Sequence, residues 1–349
     1  MYEIILAFIT SFALTFVAIP SIIHIARKKN LVDEPGERRS HVVSTPSLGG
    51  IAIFAGMLFS IIMWTPFNYF GDLQYILCAF IIIFLIGVKD DLDPISPTRK
   101  FLGELLAAII LVFKANIKLT SFYGIFGIYN IPGLASIILS VFTIIVIINA
   151  FNLIDGINGL SASIGILISL ILGIWFYNIE RLEIAIIAFS LIGSTFAFLR
   201  YNITPAKIFM GDTGSLLLGM VCSILAILFI ELHRTLPDSA YYFKAAPSFA
   251  VAILILPLFD TLRVFTLRIL KGKSPFHADR THIHHLLLDT GLSHMQATSV
   301  LIVFNILFIF LAFKLQNLGN FNLILLLLTI AILLSFGLSR LSRRKTIGQ

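Results

Sequence analysis

Four short clusters contain the side chains that are best suited to chemistry. The first is the pair Asp90 and Asp91, and the second covers residues 149–158. The third covers residues 209–215, and the fourth has three histidines within residues 282–285. Each cluster lies beside an apolar stretch, where carboxylates are costly unless they have a partner or a ligand. Carboxylates, amides and histidines in such places favour phosphate chemistry at a membrane surface.

The pair Asp90 and Asp91 has two interpretations. It can be a solvated helix end whose charge is balanced by Lys89, Arg99 and Lys100. It can also be catalytic, because a carboxylate pair can position a metal-bound phosphate or accept a proton from an attacking phosphate oxygen. The presence of the three other clusters favours the catalytic interpretation.

The second cluster repeats polar side chains at three-residue intervals, at Asn149, Asn152 and Asp155. A helix that extends this far would bring all three to one face. Gly156 and Gly159 would then allow a tight turn and a close approach of the backbone. Helix capping is the structural alternative, and it is compatible with ligand binding because free amides at a helix end also bind phosphate.

The third cluster begins an apolar stretch with Gly211, Asp212 and Ser215. Asp212 can be an N-cap, or it can be a hard oxygen ligand for a divalent cation. Mg²⁺ prefers one or two carboxylates together with phosphate oxygens and water. We therefore predict Asp212 as a ligand of Mg²⁺, with Mn²⁺ as a substitute. Phe209 offers a flat apolar surface to a nucleobase.

The fourth cluster contains His282, His284 and His285, beside Arg280. A structural zinc site would need a fourth nitrogen or sulfur ligand, and no cysteine is near in the sequence. A surface loop without a site is the other alternative. Histidines beside basic residues are well suited to binding a diphosphate and to stabilising charge on a leaving phosphate.

The composition is that of an integral membrane protein. The 349 residues are 58% hydrophobic and only 12% charged, and the mean hydropathy is +0.99. Helices of about 20 residues cross a bilayer, so we predict a single all-α polytopic membrane domain over residues 1–349 with about eleven spans. Their approximate limits are 3–26, 48–64, 73–89, 101–113, 133–151, 159–177, 182–199, 213–232, 246–270, 296–315 and 321–340.

Basic residues predict the orientation of this domain. Of the 25 Lys and Arg residues, 19 lie in segments that would share one side of the membrane if the N-terminus is outside and the C-terminus inside. The net charge of +7 comes mainly from these segments and implies no nucleic-acid partner. The predicted inner segments are 27–47, 89–100, 149–158, 199–212, 263–296 and 340–349. All four clusters fall on this inner side.

Together these motifs resemble the polyprenyl-phosphate N-acetylhexosamine-1-phosphate transferase family, over about residues 33–285. The resemblance implies ten or eleven helices in the bacterial cytoplasmic (inner) membrane and a magnesium site on its cytoplasmic face. It implies transfer of a sugar 1-phosphate from a UDP-N-acetylhexosamine to undecaprenyl phosphate, with release of UMP. That reaction is the first membrane step of cell-surface polysaccharide synthesis. The lipid bilayer is a partner, and a homodimer is left open.

The resemblance also implies roles for individual residues. The catalytic residues would be Asp90, Asp91, Asp155 and His282. The metal ligands would be Asp212 and Asp155. The substrate-binding residues would be Arg38, His41, Lys100, Asn152, Asn158, Phe209, Arg280, His284 and His285.

Two departures from the family pattern matter. Asn158 stands where many relatives have a second aspartate, so a negative charge there cannot be essential to the reaction if this enzyme is active. Asp93 follows the acidic pair by two residues rather than three, and we assign it no catalytic role. The spacing His282-Ile283-His284-His285 resembles the branch that uses simple UDP-N-acetylhexosamines. It predicts UDP-N-acetylglucosamine as donor, with its C4 epimer or a modified derivative as the main alternative.

Three other functions fit the sequence less well. A phospho-MurNAc-pentapeptide transferase belongs to the same family, but its branch typically has three consecutive histidines. A transporter would keep charges or broken helices near the bilayer midplane, and Asp260 in the ninth span is the residue that fits this. We expect Asp260 to pair with Arg263 instead. A structural scaffold would leave the acidic and histidine clusters unexplained.

Overall fold

The computed structural model describes residues 2–31, 44–236, 239–274 and 281–347. In these ranges the chain forms thirteen α-helices and four short 3-10 turns, with no strand, so the all-α prediction is confirmed. The helices are α1 (Tyr2–Lys28), α2 (Gly49–Trp64), α3 (Leu73–Leu92), α4 (Pro97–Phe113), α5 (Gly133–Ile154), α6 (Leu160–Asn178), α7 (Leu182–Asn202), α8 (Gly211–Leu232), α9 (Ala246–Ile253), α10 (Ile255–Leu270), α11 (Ile283–Asp289), α12 (His294–Lys314) and α13 (Asn320–Ile347).

Every predicted span coincides with a helix or, for the ninth, with a pair of helices. Within the described ranges, eight helices are long and apolar enough to cross a membrane, or nine if α9 and α10 form one span. Helices α2 and α4 have 16 and 17 residues, slightly fewer than the length expected of a full crossing. The total of eleven crossings and the orientation of the N-terminus stay predictions.

The predicted ninth span, residues 246–270, is bent by 76° between α9 and α10. Pro257 explains the break, because proline has no N–H for the carbonyl of Ile253 four residues earlier and its ring collides with that carbonyl. The Ile253 carbonyl accepts a bond from the Asn305 side-chain amide instead, at 3.1 Å. A polar group from α12 therefore replaces the missing helical hydrogen bond.

Helix α8 is the centre of the bundle. In its most apolar 18-residue window 78% of the residues are buried, compared with 22% for α13. It packs against α2, α3, α5 and α6. Glycines allow this close packing, since a Cβ on Gly50 would collide with the backbone of Gly214, and a Cβ on Gly219 would lie 2.6 Å from the Cα of Ile148. The first turn of α8 is therefore surrounded by the ends of several helices.

Candidate active site

Asp91 fixes the beginning of α8. Its carboxylate accepts the backbone N–H of Asp212 at 2.7 Å, and it accepts the backbone N–H and the hydroxyl of Thr213 at 3.0 and 2.6 Å. The first amides of a helix have no partner within the helix, so α3 supplies a cap from outside. Gly211 leaves room for it, because a Cβ there would lie 2.6 Å from Asp91 Oδ2. Asp91 is thus committed to joining α3 and α8.

Asp90 has different partners from its neighbour. Its Oδ1 accepts the backbone N–H of Ile95 at 2.8 Å, and its Oδ2 lies 3.2 Å from the ammonium of Lys100. The same ammonium also forms an ion pair with the carboxylate of Asp212. One cation therefore lies between two carboxylates that come from α3 and α8.

Asn152 joins α5 to this group. Its side-chain amide donates to Asp212 Oδ1 at 2.8 Å and to the Ser215 hydroxyl at 3.0 Å. Asn149, one turn earlier, donates instead to the carboxylate of Glu104, which is buried between helices. The three-residue spacing thus brings the two asparagines to neighbouring acids, and only Asn152 contacts the Asp212 cluster.

Asp155 follows the last residue of α5 and accepts a hydrogen bond from the Ser161 hydroxyl. Burial, and to a smaller extent the nearby charges of Asp212 and Asp91, raise the pKa of its carboxyl against the effect of the Ser161 hydrogen bond, so that the pKa is about 7. Asp155 is therefore within electrostatic reach of both other carboxylates. A cation placed among these acids would favour its ionised form.

Asn158 and Phe209 lie on the segments that flank this group. The Asn158 side-chain amide donates to the Thr204 hydroxyl at 2.9 Å, and the backbone carbonyl of Asn158 accepts from the Thr298 hydroxyl on α12. Neither of these contacts involves the carboxylates. Phe209 is half-buried, and its carbonyl accepts the N–H of Gly49 at 2.9 Å at the start of α2. The segment of Phe209 thus lies beside the end of the first predicted inside loop.

The histidine segment is anchored to Asp260 on α10. Asp260 Oδ2 lies 2.9 Å from His282 Nδ1, and Oδ1 accepts the backbone N–H of Ile283 at 2.9 Å. Arg263 is 3.8 Å from Asp260, so the expected pair exists, but its closer contact is to the carbonyl of Thr281 at 2.6 Å. The role of Asp260 was missed from the sequence, where the only signal was an acid inside an apolar span.

His284 connects the histidine segment to the turn after Asp155. Only 2% of it is exposed, and a Cβ on Gly156 would collide with its Nε2. Its ring stacks on that of His282 at 5.6 Å between centroids. Neither of its ring nitrogens has a hydrogen-bond partner within the described residues. Burial lowers the pKa of His284 to about 3, so the ring is neutral at physiological pH.

His285 packs beside His284, with ring centroids 4.3 Å apart. The structure therefore brings the second, third and fourth clusters together, and it joins the acidic pair to the third. Three predicted substrate-binding residues lie outside the described residues, namely Arg38, His41 and Arg280. Asp93 forms an exposed ion pair with Lys89 at 2.5 Å, which agrees with leaving it out of the site.

The donor chemistry of the site fits Mg²⁺. Asp90 and Asp212 already converge on one cation, the Lys100 ammonium, and Asp155 adds a third carboxylate nearby. No three His, Cys, Asp or Glu side chains of the described residues are arranged to hold a metal alone. Mg²⁺ does not need such a cage, because it completes its coordination with phosphate oxygens and water.

Comparison with known proteins identifies relatives of this chain. The family model described as Glycosyl transferase family 4 matches residues 73–230. The chain is 35% identical to the probable undecaprenyl-phosphate N-acetylglucosaminyl 1-phosphate transferase of Bacillus subtilis (strain 168), over 89% of this chain and 84% of the relative. It is 34% identical to the undecaprenyl-phosphate alpha-N-acetylglucosaminyl 1-phosphate transferase of Pasteurella multocida (strain Pm70), over 84% and 81%. For the decaprenyl-phosphate N-acetylglucosaminephosphotransferase of Mycobacterium tuberculosis (strain ATCC 25618 / H37Rv) the identity is 30%, over 86% and 79%.

Proposed function

The chain belongs to glycosyl transferase family 4, and on that premise we propose that it transfers N-acetylglucosamine 1-phosphate from UDP-N-acetylglucosamine to undecaprenyl phosphate and releases UMP. The observation that carries the proposal is the convergence of Asp90, Lys100, Asn152 and Asp212. These residues come from four different helices and meet at the first turn of α8. Carboxylates and an ammonium group together suit a diphosphate and its cation.

In the proposed reaction a phosphate oxygen of the lipid attacks the β-phosphorus of the UDP-sugar. The bond between that phosphorus and the bridging oxygen breaks, UMP leaves with the bond electrons, and the product is a polyprenyl diphosphate sugar. Mg²⁺, when held by Asp212 and Asp155, would neutralise charge on the diphosphate. Positioning and charge neutralisation supply most of the acceleration in such transfers.

The chain's own residues divide the remaining work. Asp91 is occupied with the amides of α8, so Asp90 is the acid of the pair that orients the attacking lipid phosphate. Lys100 contributes positive charge beside it. His282 and His285 stabilise the leaving phosphate, and Phe209 stacks on the uracil.

The bent pair α9 and α10 does not favour a transporter. A broken helix with an acid was the feature expected of a transport site. Here the acid, Asp260, binds His282 and the start of α11. It therefore belongs to the proposed transferase site.

Purified protein provides the direct test. With UDP-N-acetylglucosamine, undecaprenyl phosphate and Mg²⁺ we expect release of UMP and formation of a lipid-linked sugar. No UMP release under these conditions would refute the proposal. Competition with the C4 epimer and with UDP-MurNAc-pentapeptide in the same assay tests the donor, and a preference for the pentapeptide would contradict the branch assignment.

A direct transfer and a covalent aspartyl intermediate predict different partial reactions. A covalent route would allow labelled UMP to exchange into the UDP-sugar without any lipid acceptor. A direct route would show no such exchange until the lipid phosphate is added.

The proposed site faces the cytoplasm in the bacterial cytoplasmic membrane. The chain is a multi-pass membrane protein, and the predicted topology places the site on the side where UDP-sugars are made. A cysteine introduced at position 274 should resist a membrane-impermeant label from outside the cell, whereas one at position 239 should react. The reverse labelling pattern would refute this orientation.

A further inference from the structure

Asp260 and His282 form a buried pair. Their exposed fractions are 1% and 6%, and the distance from Asp260 Oδ2 to His282 Nδ1 is 2.9 Å. The other carboxylate oxygen accepts the backbone N–H of Ile283, and the guanidinium of Arg263 lies 3.8 Å away. These contacts favour the ionised acid, which accepts hydrogen bonds and donates none. Nδ1 of His282 therefore carries a hydrogen, and Nε2 is the ring nitrogen left for a ligand.

We propose that Asp260 is a positioning residue for the transfer reaction. It holds the His282 ring through Nδ1, so that Nε2 is the nitrogen that contacts the substrate phosphate. A carboxylate that is hydrogen-bonded to one ring nitrogen fixes both the tautomer and the orientation of an imidazole. The inference rests on the proposed function and adds to it a residue on α10, a helix outside the matched family segment.

The backbone around His282 has a second anchor that does not depend on Asp260. Arg263 donates to the carbonyl of Thr281 at 2.6 Å and to the Ser339 hydroxyl at 3.3 Å. The ring of His282 is also supported by its stacking on His284. Removing the charge of Asp260 should therefore change the state of the ring while the segment stays in place.

The first test is Asp260→Asn. The asparagine oxygen can still accept from Ile283, but the amide nitrogen then faces His282 Nδ1 and can only donate. The ring must lose this bond or move its hydrogen to Nε2. We expect kcat to fall about 10²-fold, the lower end of what a positioned acid or base contributes, while the KM for UDP-N-acetylglucosamine changes little.

A double-mutant cycle separates positioning from a merely structural role. If Asp260 acts through His282, then Asp260→Asn should cause little further loss of kcat in a His282→Gln background. Glu183→Gln is the matched control, because Glu183 is a nearly buried acid paired with Arg181 at the beginning of α7. We expect this control to keep the wild-type kcat.

A wild-type kcat in Asp260→Asn, or losses that multiply independently in the double variant, would overturn the inference. Wild-type protein that releases no UMP would refute the proposed function instead. Nitrogen-15 spectra of wild-type protein with labelled histidines report which ring nitrogen carries the hydrogen, and they need no Asp260 variant. The signal of His282 is the one that is absent from the spectrum of His282→Gln. We expect a hydrogen on Nδ1 of His282, and a ring protonated on Nε2 alone would overturn the inference.

Discussion

The carboxylate cluster (Asp90, Asp91, Lys100, Asn152 and Asp212) and the histidine cluster (Asp260, His282, His284 and His285) hold their polar groups differently. In the carboxylate cluster each acid has several partners, and one ammonium is shared between two acids. In the histidine cluster one acid serves the segment, and the ring nitrogens of His284 have no partner within the described residues. The first cluster has its charges paired internally, whereas the second keeps hydrogen-bonding capacity at His284.

The surroundings of the two clusters explain this difference. The carboxylate cluster lies at the start of α8, the central and mostly buried helix, where an unpaired charge would cost much free energy. The histidine cluster lies on a short helix between α10 and α12, and α11 packs against the exposed helix α13. The side chains of Asp90 and Asp212 are nonetheless 14% and 28% exposed, compared with 7% for His282 and 2% for Asp260, so the carboxylate cluster is the more accessible of the two.

The largest effect is expected from Asp212→Asn, because this change removes an anionic oxygen from the centre of the carboxylate cluster. Turnover should fall about 10³-fold, the upper range for loss of one electrostatic stabiliser. The measurement is UMP release across a magnesium titration, with thermal unfolding as the check on folding. Near-normal UMP release at low magnesium would exclude Asp212 as a main ligand.

Asp90→Asn should reduce turnover about 10²-fold through the loss of a positioned acid. Its free energy of unfolding should change little, because Lys100 keeps its partner Asp212. Binding of UDP-N-acetylglucosamine, measured by calorimetry, should stay close to wild type if Asp90 serves the lipid acceptor. Selective loss of donor binding would contradict this assignment.

Asp91→Asn should reduce mainly the free energy of unfolding rather than turnover. This difference would sharpen the contrast within the acidic pair. The amide has one acceptor oxygen for three donors at the start of α8, and hydrogen bonds to a charged group contribute about 1.5 to 3 kcal/mol. We expect the free energy of unfolding to fall by about 2 kcal/mol, measured by denaturant titration in detergent.

Asp93→Asn is the control for that change, since it removes the same charge from the residue that follows α3. Its carboxylate is exposed and contacts only Lys89 among the described residues, so stability should stay at the wild-type level. If Asp91→Asn were as stable as wild type and as inactive as Asp90→Asn, the two acids would act as one unit on the acceptor.

The sequence predicted the helices well because apolar stretches of this length have few alternatives in a membrane. The family resemblance was confirmed, and the Asn152 and Asp212 motifs do meet. The different partners of Asp90 and Asp91 were not predictable, because those of Asp91 include Thr213, more than a hundred residues later. Adjacent residues on a helix face different neighbours, and only the packing of α3 on α8 decides which acid caps the helix.

The histidine cluster was harder to predict for a related reason. Pro257 weakens the helix in the ninth span, but the direction of the bend depends on how α9 and α10 pack and on the bond from Asn305 to Ile253. That bend places Asp260 beside His282, twenty-two residues away. An acid in an apolar span indicates a partner, yet Arg263 on the next turn was the nearer candidate in sequence.

The last expected effect, similar in size to that of Asp91→Asn, concerns the pH dependence of stability and tests whether His284 is neutral. The pKa of buried His284 is lowered to about 3, compared with about 6.5 in an unfolded chain. Between these values the unfolded state binds more protons, so stability is lost as the pH falls. From pH 7 to pH 5 this one residue should cost the wild type about 2 kcal/mol. Denaturant titrations of His284→Gln at both pH values should therefore show a loss smaller by about that amount.

The matched control is His24→Gln, because His24 is exposed on α1 whereas His284 is buried. It should show the same loss of stability on acidification as the wild type. If His284→Gln also kept the full acid loss, then His284 would be charged in the folded protein. The histidine cluster would then carry a positive charge at His284, beside Gly156. The two clusters would then differ in the sign of their charge rather than in free hydrogen-bonding capacity.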